Sequence, residues 1–176
     1  MKTALLVIDV QQALIDDQPA NKDAFLVNLK LLIDAAHEGG TEVIYVRHDG
    51  GEGDVLAYGE PGWQLDKSLV PRSDERIFEK RFNSAFLKTG LTEYLSSKGV
   101  TNLVICGMQT EYCIDTSVKT AFEHGYDVVV PSGATTTYAN PFLSGDKIVY
   151  FYERMIWHEP LAHVVPLEEA IQLLNK

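Results

Sequence analysis

The sequence predicts an α/β fold, a mostly parallel sheet covered by helices on both faces, and three observations predict it. Short apolar, β-branched runs alternate along the chain with segments whose apolar residues fall at helical spacing. The strand-like runs are continuously apolar, as suits strands buried on both faces. Helical patterns stop at Gly39-Gly40, Gly99 and Gly125, where a left-handed residue can close each helix.

Thr3 to Ile8 is the first apolar strand, ending at Asp9. From Lys22 to Glu38, residues Phe25, Leu29, Leu32, Ile33 and Ala36 share one helical face. Thr41 to Val46 is the second strand. Arg47 to Arg76 is rich in Gly, Pro and Asp and holds Tyr58 and Trp63; a connection this long is functional or partner-bound rather than idle. Ile77-Phe78 reads as a short strand, followed by Glu79 to Phe82 and the turn-like Asn83-Ser84. Leu87 to Lys98 is helical, and Asn102 to Cys106 is the next buried strand.

The stretch GMQTEYCID, Gly107 to Asp115, then turns the chain into a helix over Glu111 to His124. Asp127 to Val130 is another strand, 133–138 a polar loop, and Ser144 to His158 a helix. Ala162 to Val165 is the last short strand, and Pro166 to Leu174 a terminal helix with proline near its start. With no internal repeat and no linker, residues 1–176 read as a single domain.

Composition narrows the functional classes. A net charge of −10 without a basic cluster disfavours nucleic acid and anionic membranes as partners, leaving a small molecule as the expected one. The opening MKTALLVIDV has too short an apolar run for a signal peptide or a membrane span, so a reduced cytoplasmic setting is expected. The two cysteines, Cys106 and Cys113, have no zinc-type spacing. No G-x-G-x-x-G, P-loop, G-x-S-x-G or H-E-x-x-H motif is present. No cofactor and no metal is therefore expected.

Ligands of such sheets bind beyond the carboxyl ends of the strands. Asp9 ends the first strand there, and Cys113 follows the Asn102–Cys106 strand in the first turn of the expected helix. Unpaired N–H groups and the helix dipole make a thiol so placed easier to ionise. Asp9 can act as its base, and Lys80, ending the short Arg76–Glu79 run, can hold both charges in register. Each residue alone also fits a plainer role: a small core thiol, a capping aspartate, a solvated lysine. His48-Asp49 either faces the site or ligates a metal weakly, but one such pair is not a metal motif.

Three stretches, LLVIDVQ, EKRFNSAF and CGMQTEYCIDTS, together resemble the isochorismatase-like cysteine hydrolase superfamily, which includes nicotinamidases, N-carbamoylsarcosine-type amidases and isochorismatase. The resemblance runs through nearly the whole chain, and G-x-x-T-x-x-C is its most specific motif. It implies a three-layer α/β/α, Rossmann-like fold with about six mostly parallel strands, and an Asp9–Lys80–Cys113 triad. It also implies a non-proline cis peptide at Met108–Gln109 that aims the N–H groups of Gln109 and Cys113 at an oxyanion. Assembly as a homodimer or homotetramer follows from the same resemblance.

The implied reaction is hydrolysis of an amide, carbamoyl or related C–N bond through a thioester. Alternatives are vinyl ether cleavage of the isochorismatase type, with Asp9 as acid, or a catalytically silent assembly module. The metal-binding Asp-x-His pair and further histidine of nicotinamidases are missing from Val46 to Gly51, which points away from nicotinamide. Segment 47–76 is expected to wall the pocket, with His48, Trp63, Phe82 and Tyr112 as pocket candidates. Cys113 is expected to alkylate rapidly at neutral pH, and Cys106 not at all.

Overall fold

The computed structural model describes residues 2–176. Its centre is a seven-stranded sheet of β1 (Thr3–Ile8), β2 (Glu42–His48), β3 (Arg76–Lys80), β4 (Asn102–Met108), β5 (Asp127–Pro131), β6 (Thr135–Thr136) and β7 (His163–Val165). The strand order is β3-β2-β1-β4-β5-β7, with β6 pairing off this path against β4, and every strand pair is parallel. Helices α1 (Gln12–Asp16), α2 (Lys22–Gly39), α3 (Leu91–Lys98), α4 (Asp115–Glu123), α5 (Gly145–Phe151) and α6 (Leu167–Leu174) complete the layers.

Alternation along the strands separates the two faces. Leu5, Val7, Val43, Tyr45, Val104 and Cys106 pack with Phe25, Leu29 and Leu32 of α2 and Ala170 and Leu174 of α6. Ala4, Leu6, Ile8, Ile44, Val46, Leu103 and Ile105 pack on the other face against Leu91 and Leu95 of α3 and Val118 and Ala121 of α4. Truncating a side chain such as Leu5, which has no solvent exposure, is expected to cost about 2–5 kcal/mol. A double core of this kind holds the strand ends in place, and those ends carry His48 and Lys80, with Asp9 directly after β1.

The sheet has one topological switch point. From β1 the chain winds outward through β2 to β3, whereas β4, β5 and β7 build the other half. At their carboxyl ends β1 and β4 therefore open a crevice between connections that leave in opposite directions. The backbone is unusual at this crevice. Asp9 leaves β1 with φ 54°, a left-handed conformation that aspartate tolerates better than most residues. Gly107 has φ 124°, and a Cβ there would lie 2.0 Å from the Ile8 carbonyl oxygen. Only glycine lets β4 pass that close to the end of β1.

Several boundaries differ from the sequence expectation. The sheet has seven strands rather than about six, because two threonines in the polar loop prolong the pairing beside Gly107 and Met108. Helix α1 was invisible: five residues are too few to establish a helical period. Leu87 to Gly90 is not helical, since Gly90 takes φ 79° immediately before α3. Segment Glu111–His124 divides into a π-helical turn, Thr110–Ile114, followed by α4. Likewise Tyr152–Ile156 is a π-helical turn after α5, so Ser144–His158 is not one α-helix. Apolar spacing alone does not distinguish these helix types.

Candidate active site

Asp9, Lys80 and Cys113 come together at the switch point. Lys80 Nζ lies 2.7 Å from Asp9 Oδ2 and 3.1 Å from Cys113 Sγ. The same nitrogen is 3.0 Å from His48 Nδ1 and 3.1 Å from the Phe82 carbonyl oxygen. The Lys80 side chain has no solvent exposure and that of Asp9 has 2%. Removing an ion pair this completely from water is costly, and the extra acceptors around the ammonium offset part of that cost.

The strand register explains the convergence. His48 is the direct partner of Lys80 in the β2–β3 ladder, so their side chains leave the same face side by side. Gln11, fully buried just after β1, fixes the end of β2: its side chain accepts from the His48 N–H at 2.8 Å and donates to the His48 and Trp63 carbonyls, both at 2.9 Å. The sequence reading assigned Gln11 no role; a glutamine immediately after a buried strand was the available signal. Cys113 belongs to the π-helical turn, and the peptide preceding Gln109 is cis.

Electrostatics correct one expectation. Burial pushes the Cys113 thiol up to about 12; the Asp9 carboxylate adds to the rise and Lys80 opposes it. The resting thiol is therefore protonated, not spontaneously acidic. Burial, the largest influence on Cys113, outweighs the easier ionisation expected at a helix start. His48 is pushed below its ordinary value of 6.5, first by burial and then by the Lys80 charge, so it is neutral at pH 7. Asp9 Oδ1 is buried without a hydrogen-bond partner, leaving an unused acceptor oxygen in the site.

A cavity of about 290 Å³ opens above these groups, lined by Asp9, Leu14, His48, Gly50, Asp54, Leu56, Asn83, Gln109, Tyr112 and Cys113. Segment 47–76 supplies its wall through Gly50, Asp54 and Leu56, not through aromatic rings. Trp63 is buried behind β2 and β3, where its Nε1 donates to Glu79 at 2.9 Å and the Arg47 guanidinium stacks 3.5 Å from its ring. Tyr58 packs against Trp63 at 4.6 Å between ring centres. Phe82 contributes its carbonyl to Lys80, while its exposed ring does not line the cavity. His48 and Tyr112 do line it.

His48 faces the site, but its neighbour Asp49 does not join it. Asp49 is committed elsewhere: Oδ1 accepts from Gly51 N–H at 2.9 Å, and Oδ2 accepts from Arg81 at 2.7 Å. Asp9, His48 and Cys113 do offer ligand atoms within 4.8 Å of one another. Lys80 Nζ touches all three of those residues, so a metal cation there would contend with an ammonium already in place.

The molecule is a doubly wound α/β domain with a thiol, a carboxylate and an ammonium gathered at its switch point. The "Isochorismatase domain" family profile matches residues 3–144, and the chain belongs to that family. A streptothricin hydrolase from Streptomyces noursei is 36% identical over 140 residues, 78% of this chain and 51% of the relative. The chain thus spans about half the length of that relative. Nicotinamidase 3 of Arabidopsis thaliana is 31% identical over 150 residues, covering 77% of this chain and 73% of the relative. A putative hydrolase of the isochorismatase family from Chromobacterium violaceum superposes with a TM-score of 0.91 at 26% identity, covering 99% of this chain and 94% of that one.

Proposed function

We propose that this chain is a cysteine hydrolase that cleaves a C–N bond of a small amide or carbamoyl compound through a thioester. The observation carrying this reading is the contact of Lys80 Nζ with both Asp9, at 2.7 Å, and Cys113 Sγ, at 3.1 Å, beneath a cavity open to a ligand. Relatives named streptothricin hydrolase and nicotinamidase support the hydrolytic class.

In the proposed reaction the bound carbonyl carbon sits over Cys113. Asp9 removes the Sγ proton as Sγ attacks, so the charged thiolate never needs to accumulate beside the Asp9 carboxylate. The carbonyl oxygen takes the negative charge against the backbone N–H groups of Gln109 and Cys113. Asp9 then returns its proton to the nitrogen, the C–N bond breaks, and the amine departs from a thioester. Water gives a proton to Asp9 and attacks the thioester carbon. The C–S bond breaks, the acid leaves, and Asp9 reprotonates the sulfur. Lys80 holds the carboxylate and the sulfur together throughout.

Replacing Cys113 by Ala is the direct test. Loss of amidase turnover in a folded variant supports the thioester route, whereas retained turnover points to Asp9-led chemistry of the vinyl ether type.

A further inference from the structure

We propose that Asp54 selects the substrate by charge: the amide that fits this cavity carries a protonated amine on the part remote from the scissile bond, and carboxylate-bearing substrates are rejected. This inference rests on the amidase reading above.

Asp54 is the carboxylate that the long β2–β3 connection contributes to the cavity wall. Its position is built rather than incidental. Oδ1 accepts the Leu56 N–H at 2.8 Å, and Ala57 N–H bonds to the Asp54 carbonyl at 3.0 Å, closing a tight turn. Gly50 lies directly beneath: a Cβ at position 50 would come 2.4 Å from Asp54 Cγ. The turn is anchored in its turn by Asp49, whose carboxylate binds Gly51 N–H, Tyr58 N–H at 3.2 Å and Arg81. Among the described residues no cation forms a salt bridge with Asp54.

The rest of the wall offers no compensating positive charge. No lysine or arginine is among the lining residues, and Lys80, beneath the floor, is already paired with Asp9. His48 is kept neutral by burial and by Lys80. A second carboxylate oxygen, Asp9 Oδ1, faces this region buried and unpartnered, ready to accept an N–H. A carboxylate entering the cavity would meet the Asp54 carboxylate with no free cation to offset it, the Asp9 charge being matched by Lys80, whereas an ammonium would meet Asp54 at the wall and leave its amide end over Cys113. The whole-molecule charge of −10 acts in the same sense at longer range.

The test uses Cys113 as a reporter and needs no knowledge of the substrate. Three methanethiosulfonate reagents of similar size, bearing a 2-trimethylammonioethyl, a methyl or a 2-sulfonatoethyl group, are reacted with the native protein at low salt. Labelling is read at Cys113 by peptide mass mapping, and each rate is divided by that reagent's rate with a small free thiol. The cationic reagent is expected to label at least about tenfold faster than the anionic one. Asp54→Asn should cut that ratio about threefold or more, while Glu52→Gln, two residues away and outside the lining, should leave it within error. Salt at several hundred millimolar should compress the ratio in the unaltered protein. A ratio near one, or a ratio equally affected by both substitutions, overturns charge selection by Asp54 and leaves the nucleophile reading intact. Failure of all three reagents to label Cys113 overturns the proposal and the open thiol site together.

Discussion

Cys106 and Cys113 lie on either side of Gly107, and the contrast between their surroundings separates structure from chemistry in this molecule. Cys106 is inside β4, wholly buried, with its Sγ 3.6 Å from the Leu6 carbonyl and nothing but burial acting on its ionisation. Cys113 is also raised by burial, yet a carboxylate and an ammonium are buried with it. Burial alone makes a thiol inert. In the proposed reaction, burial beside a carboxylate and an ammonium makes a thiol that is quiet at rest and is deprotonated at the moment of attack.

The largest expected effect exploits that difference. Cys113→Ala should lower amidase turnover by about 10⁴-fold or more, as removal of a covalent nucleophile does. Cys106→Ala should retain most activity and cost only about 1–2 kcal/mol in urea denaturation. Comparable activity losses in the two variants would erase the distinction drawn here.

Asp9→Asn comes next, and its two readouts should move in opposite directions. Turnover should fall about 10²–10⁴-fold with the base removed. The resting thiol should become more acidic than in the unaltered protein, because burial and the Asp9 charge raise it and Lys80 lowers it, and the substitution leaves burial opposed by Lys80. Iodoacetamide labelling of Cys113 at pH 8 should therefore accelerate in Asp9→Asn. Slower labelling in this variant would show that Asp9 promotes ionisation of the sulfur at rest rather than opposing it.

Lys80→Met tests the cation. It strands a carboxylate that is 98% removed from solvent, so unfolding free energy should drop by about 3–5 kcal/mol, measured by chemical denaturation. A drop no larger than at an exposed lysine would mean that the pair is not held as described.

The smallest effect concerns pH. With the Cys113 thiol at about 12 in the folded protein, against an ordinary value of 9.0, the thiolate fraction is far from saturation near neutrality. Labelling of free Cys113 should thus rise roughly tenfold per pH unit between pH 7 and 9. A plateau below pH 8 would contradict a thiol raised by burial. Cys106 should stay unlabelled throughout this range.

Much of the fold was legible because buried parallel strands write continuous apolar runs, as Leu5 to Ile8 and Leu103 to Cys106 do. What escaped was short or polar: α1, the two threonines of β6, and the π-helical turns, none of which leaves a distinctive period. At the site, strand-end logic brought Asp9, Cys113 and Lys80 to one edge of the sheet, and the resemblance joined them as a triad. The role of His48 emerged only from the β2–β3 register, which pairs it with Lys80. Trp63 misled because aromatic residues in a long loop invite a pocket reading, whereas Glu79 and Arg47 hold this ring behind the sheet. Asp54 and Gly50 were invisible for the opposite reason, since only the folded turn brings them over the cavity.

The central claim is that Cys113 carries the acyl group. The most direct measurement is acid quenching of the protein during turnover of an amide it hydrolyses, followed by peptide mass mapping. The account predicts a hydroxylamine-sensitive acyl adduct on Cys113 and none on Cys106. Turnover with Cys113 unmodified at every quench time, or with the adduct on another residue, would contradict it.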